Sequence, residues 1–195
     1  MYLKIIQPMF ARVHRVVPWR GFRTASVQFG SYPYRLIRDT KPSVLPRNSQ
    51  PDDRILAALM FTKPANDNAR SIIGWVYGDP GADSQSQIDP RHFIENDRFW
   101  PAVQRVFEEH AHEDPELQAL AAYQKTGWLN ITDGRNPPPL GRTGNPEDIF
   151  GSVKLDDQAI KPHTFQSNLA YRPVTANGLF QLPKYLHGKL VEYLS

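Results

Sequence analysis

The densest run of chemistry-bearing side chains in this 195-residue chain is Glu109-His110-Ala111-His112-Glu113-Asp114. Glu109 and His112 stand at the Glu-x-x-His offset of carboxylate-bridged di-iron bundles. Those sites take two such motifs and two further carboxylates from other helices, and this sequence offers one motif. His110 and His112 are two positions apart, so on a helix they point to nearly opposite sides. The run therefore reads as a solvated helix end, with the histidines near a negative C-terminus and Asp114 capping the next helix. The chain has no cysteine, which excludes thiolate zinc sites, iron–sulfur clusters, disulfides and thiol nucleophiles. No serine sits in a Gly-x-Ser-x-Gly elbow. A trio of Ser152, His163 and a nearby acid is what chance supplies in a chain with many Ser and Asp. Glu147, Asp148, Asp156 and Asp157 flank turns, where capping carboxylates are the default. No catalytic residue, metal ligand or cofactor is assigned, and the expectation leans away from an enzyme.

Phosphate recognition has little to stand on. The sequence has no Gly-x-x-x-x-Gly-Lys loop and no Gly-x-Gly-x-x-Gly after a strand. Gly141-Arg142-Thr143-Gly144 matches the Gly-x-x-Gly of KH domains, but that loop must join two helices. Here it is flanked by Pro137-Pro138-Pro139-Leu140 and Asn145-Pro146, so a tight turn is expected. The same segment, Arg135 to Asp148, is nevertheless the best functional candidate. Three successive prolines restrict the unfolded chain and present an extended, carbonyl-rich ridge. Trp128, Arg135, Asn136, Pro138, Leu140, Arg142 and Phe150 are the candidate partner-binding residues, the ridge suiting a protein partner. The competing expectation is a long loop pinned across its own sheet to connect two strands.

The elements that must position this ridge follow from pattern. Residues Ser26 to Arg38 alternate with period two, and Pro33 places them at a sheet edge. Arg54 to Thr62 is a short apolar run that the pattern leaves open between helix and strand. Ser71 to Tyr77, rich in β-branched and aromatic residues, is a strand. Asp89-Pro90 and Asp114-Pro115 are two N-cap and first-turn signals. They frame a helical hairpin over about residues 89–127, with Leu117, Leu120, Ala121 and Tyr123 facing inward and Gly127 as the C-cap. Trp128 to Thr132 and Ile149 to Leu155 are strands, Asp156-Asp157 turns, and Ala159-Ile160 returns. Asn168 to Val174 is a further strand, and Ala176-Asn177-Gly178 is a hairpin turn. Pro183 opens a final helix with Leu186, Leu190 and Tyr193/Leu194 inside. The fold class is α+β: a single domain with a small antiparallel sheet, the hairpin and the C-terminal helix. Residues 1–24 are a leader, 25–54 an extended and proline-rich lead-in, and 55–195 the folded domain.

Charge supplies an address. The chain has 23 Lys and Arg against 20 Asp and Glu, yet the first acid is Asp39. Without residues 1–24 the remainder carries 18 basic and 20 acidic groups, a net −2. A nucleic-acid partner is not expected on charge, because the basic excess leaves with the leader. Met9, Phe10, Val13, Val16 and Val17 share one helical face, with Arg12 and Arg15 opposite. The following Arg20-Gly21-Phe22-Arg23-Thr24-Ala25-Ser26 resembles a mitochondrial presequence cleavage region, with a cut after Phe22 or Thr24. The resemblance implies engagement of the import machinery and, in a chain without cysteines, the matrix. No apolar run approaches the roughly 18 residues of a spanning helix. The leading expectation is a small soluble mitochondrial protein acting as a non-enzymatic interaction or assembly component of a larger complex. A second is a small-ligand binder or enzyme with a dispersed site, marked by a deep pocket of convergent Asp, Arg and His. A third is a mitoribosomal RNA-associated protein, with Arg135, Arg142, Lys154, Lys161 and Arg172 on one face.

Overall fold

In a computed structural model, residues 25–29, 32–38, 55–61, 69–77 and 88–195 are described. The expected cleavage residues Arg20, Phe22, Arg23 and Thr24, and the proline-rich stretch 39–54, lie outside them. The fold is α+β. Its first half is an antiparallel meander of β1 (Ala25–Phe29), β2 (Tyr32–Arg38), β3 (Ile55–Met60), β4 (Ile72–Tyr77) and β5 (Phe93–Glu95), neighbours in that order. The undecided run at 54–62 is thus a strand. Ala57 and Ala58 favour helix intrinsically, but the segment pairs with β2 on one side and β4 on the other, and sheet context overrides propensity. β2 lies inside the sheet and not at its edge. Its Pro33 falls in the stretch that pairs with β1 alone, since pairing to β3 begins at Arg35, so the missing N–H costs no ladder bond to β3.

Asp89 caps a 3₁₀ turn at Pro90–His92 by accepting from the Arg91 N–H, and the chain then pairs as β5 rather than entering a helix. The helices are α1 (Trp100–His110) and α2 (Pro115–Gln124), linked by a 3₁₀ turn. Asp114 Oδ1 accepts from Glu116 N at 2.8 Å and Leu117 N at 3.2 Å, and Pro115 stands where its missing N–H is not needed. α1 finds its principal helical neighbour in α3 (Lys184–Leu194), whereas α2 lies against the second sheet.

That second sheet is β6 (Gly127–Thr132), β7 (Ile149–Asp156) and β8 (Ala159–Ile160), with β9 (Gln166–Ser167) also paired to β7. A ribbon of β10 (Val174–Thr175) and β11 (Gly178–Leu179) precedes α3. The expected strand over Asn168–Val174 does not form. The Asn168 side chain instead bonds three main-chain groups, donating to the Pro146 and Ile149 carbonyls and accepting from Ala170 N. An asparagine that satisfies the backbone locally competes with the ladder.

One apolar core joins both halves. Leu59 and Ile73 of the meander, Val103 and Phe107 of α1, Ile131 and Val153 of the second sheet, and Leu186 and Leu190 of α3 belong to a single buried cluster. Each such side chain contributes about 1.5–3 kcal/mol of burial. Because β6 and β7 send Leu129, Ile131, Val153 and Leu155 into it, the opposite face of β6 is fixed outward. That alternation positions the site.

Candidate functional site

The site is built by a chain reversal. α2 ends where Lys125 takes a left-handed conformation, φ +73°, its N–H donating to the Ala121 carbonyl at 2.8 Å. The glycine expected to cap this helix, Gly127, instead opens β6 at φ +92°. The reversal lays the last turn of α2 beside the outer face of β6. Leu117 and Ala121 are buried as expected, but Leu120 and Tyr123 are 37% and 65% exposed. α2 carries a second apolar stripe at i, i+3 spacing on its outer side. From β6, Trp128, Asn130 and Thr132 project on the face opposite Leu129 and Ile131. The loop after β6 curls back over them, with Gly144 packed on Pro138 and the Thr132 methyl. The result is a groove of about 590 Å³ walled by Leu120, Tyr123, Trp128, Thr132, Pro137 to Pro139 and Leu140 to Gly144.

The groove also borders an open strand edge. Among the described residues β6 pairs with β7 alone. On β7, the Lys154 main chain turns to the far side, where its N–H donates to Thr164 Oγ1 at 3.1 Å and its carbonyl accepts from Lys161 N at 2.9 Å. Its cross-strand partner is Trp128, so the main chain of Trp128 points away from β7. Gln124 Nε2 donates to that Trp128 carbonyl at 2.8 Å. Two residues on, Asn130 has the same orientation, and its side chain is occupied in accepting from the Ser152 hydroxyl at 2.7 Å.

Behind the loop lies a buried charge cluster. The Arg135 side chain is 1% exposed. Its Nε donates to Asp148 Oδ1 at 2.8 Å and sits 3.4 Å from Asp133 Oδ2. Its Nη1 donates to the Pro173 and Gly178 carbonyls, and its Nη2 to those of Glu147 and Arg172. Asn136 Nδ2 donates to Asp148 Oδ2 at 2.9 Å. Asp133 further accepts from Arg135 N, Gln181 N and the Tyr171 hydroxyl. Burial raises the Asp133 carboxyl above its usual range, against the opposing pull of Arg135 and these donors.

Of the seven candidate partner-binding residues, the structure therefore brings four together on the groove: Trp128, Pro138, Leu140 and Arg142. The other three require correction. Arg135 is consumed by the interior cluster, Asn136 is tied to Asp148, and Phe150, 4% exposed, packs edge-on against Phe107 in the core. Arg135 and Asn136 tie the loop to the interior from behind, and Phe150 lies in the core. Leu120 and Tyr123 were missed because an apolar α2 reads as core when the second stripe is assigned inward. Gly141 to Gly144 forms a turn in the groove wall, with Arg142 N bonded to the Pro139 carbonyl at 3.0 Å; it lies between β6 and a 3₁₀ turn at Pro146–Asp148, and no α-helix flanks it.

Among the described residues the groove lining holds no acid and no histidine, and Arg142 is its one charged member. Its chemistry is apolar contact and main-chain pairing. The Glu109 to Asp114 run is dispersed: Glu109 pairs with Arg105 at 2.9 Å, and Glu113 accepts from Tyr185 and faces His110. Bonds from Tyr185 and His110 lower the Glu113 carboxyl below its usual range. Among the described residues no cluster of three or more His, Asp or Glu is placed to hold a metal, and no helix is long and apolar enough to cross a membrane. Comparison with protein-family models, with curated proteins and with solved structures returned no match.

Proposed function

We propose that this chain is a small, non-enzymatic interaction protein of mitochondria, an accessory or assembly component of a larger complex, and that it docks its partner in the groove between α2, β6 and the proline-rich loop. One observation carries the reading. Among the described residues six large apolar side chains are exposed, and four of them, Leu120, Tyr123, Trp128 and Leu140, stand on this one groove. Apolar side chains gathered at an open strand edge mark an interaction surface. An extended segment would pair with the Asn130 main chain by strand addition and seat alternate side chains on Trp128 and Tyr123. Arg142 lines the groove and Lys154 stands across from Trp128, which favours a segment that mixes apolar residues with acids. The acid-free leader supports a mitochondrial address, and a cut after Thr24 leaves β1, which starts at Ala25, whole.

The test is affinity purification of the tagged protein from isolated mitochondria, wild type against a Trp128→Ser/Leu140→Ser pair. Wild type should co-migrate with a high-mass assembly, and the pair should be recovered alone with an unchanged melting temperature. Recovery of the wild type only as a monomer, or retention of the assembly by the variant, refutes the docking surface. A reporter fused to residues 1–24 that stays diffuse through the cell refutes the address.

A further inference from the structure

One rung of the open strand edge is already taken, and a strained turn holds the residue that takes it. Lys125, at φ +73° and ψ −50°, is the centre of a γ-turn that Thr126 N closes on the Gln124 carbonyl at 3.0 Å. This hand of γ-turn is rare and strained in a residue that carries a Cβ. Such strain persists only where the surroundings over-determine the backbone, and here they do. Lys125 N donates to the Ala121 carbonyl at 2.8 Å, and the Lys125 carbonyl accepts from Gln158 N, in the β7–β8 turn, at 3.0 Å. The turn is clamped between the end of α2 and the second sheet.

Its consequence is the position of Gln124, the last residue of α2. The side chain lines the groove, and its Nε2 donates to two carbonyls, that of Trp128 at 2.8 Å and that of Thr126 at 3.3 Å. The Trp128 carbonyl is the acceptor that an added strand would use, because Trp128 and Asn130 turn their main chains away from β7.

This bond is suited to exchange. Gln124 and Trp128 are both exposed, so its net worth is that of a single hydrogen bond made in competition with water. When the N–H of a strand takes the Trp128 carbonyl, the Gln124 amide still has the Thr126 carbonyl beside it. Neither the carbonyl nor the amide is stranded in the empty groove or in the filled one. A bare edge carbonyl would invite any extended chain, whereas a covered one admits a segment that replaces the bond.

We propose that Gln124 is a displaceable lock on the β6 edge, opened when an incoming strand places a main-chain N–H on the Trp128 carbonyl. The lock rests on the docking reading above and adds a rule of selection to it. The partner residue that takes this carbonyl cannot be proline, which has no N–H to offer.

The tagged full chain is titrated as bait into lysate of isolated mitochondria, as wild type, Gln124→Met and Gln124→Ala, and the captured assembly is measured against bait concentration. Methionine keeps the length of the side chain and removes the donor. Half-capture should need roughly threefold to tenfold less bait for both variants, with an unchanged melting temperature, and the gain should vanish when Trp128→Ser/Leu140→Ser is added. A Gln124 that only caps the helix would lower the melting temperature and leave capture equal or weaker. That result overturns the lock while the docking reading stands. Capture by neither wild type nor variants, or capture that survives Trp128→Ser/Leu140→Ser, overturns the docking reading and the lock with it.

Discussion

Arg135→Leu asks whether the proline-rich wall is held from behind by charge. In the native protein the guanidinium lies between the Asp133 and Asp148 carboxylates, both side chains 0–1% exposed. It also donates to four main-chain carbonyls at 2.7 to 3.2 Å. Leucine fills most of the volume but returns none of the contacts. Removing one partner of a buried ion pair costs about 3–5 kcal/mol; of the four carbonyls, those of Glu147 and Pro173 keep main-chain donors in Arg172 N and Phe180 N, so the ion pair dominates the loss. Against a typical total of about 5–15 kcal/mol, the variant loses a large part of its stability. Urea unfolding followed by circular dichroism measures it. The pH dependence supplies a sign. Burial raises the Asp133 carboxyl in the folded state. The folded chain therefore holds that proton more tightly than the unfolded chain, and this group favours folding as pH falls and loses that contribution as pH rises through its folded pKa. Without Arg135 the raising is stronger, so the deficit of the variant is greatest near pH 7 and shrinks on acidification. A deficit below about 1 kcal/mol, the worth of an exposed pair, or one that does not change with pH, would refute the account.

Two further outcomes follow from the geometry. Asp114→Ala strips both cap bonds from α2 and should lower stability by about 1–2 kcal/mol in the same unfolding assay, while Asp114→Asn recovers most of it; equal losses in the two would remove the cap as the cause. Gly151→Ala drives a methyl into the Gln166 carbonyl and the Phe165 ring, costing about 1–3 kcal/mol. Faster amide exchange should be confined to the β9 segment, and unchanged exchange there would show that the close approach is not obligatory.

The sequence was most legible where a signal is local. The Asp-Pro starts at residues 89 and 114, the Asn177-Gly178 turn and the Leu186, Leu190, Leu194 stripe each act within one or two turns of chain, and all four are present. The tight β7–β8 turn is also there, made by Asp157 and Gln158 at positive φ. Legibility failed where the deciding partner is distant. Arg135 looked like a surface cation because three of the four carbonyls around it come from residues 37 to 43 positions later. Asn168 looked like the start of a strand because nothing nearby reveals that its amide spans to Pro146 and Ile149. The groove was half visible: its proline ridge and Trp128 announce themselves, but the α2 wall depends on a helix end whose apolar residues have more faces than the core needs.

The loop over the groove is rooted at both ends in the same buried charge cluster, through Asp133 and Arg135 on one side and Asp148 on the other, and three prolines stiffen the span between. Such a jaw cannot swing at either root without dismantling the interior. Whatever enters must already have the right contour, so selection rests on shape at first encounter, and little ordering entropy is left to be lost when the guest arrives.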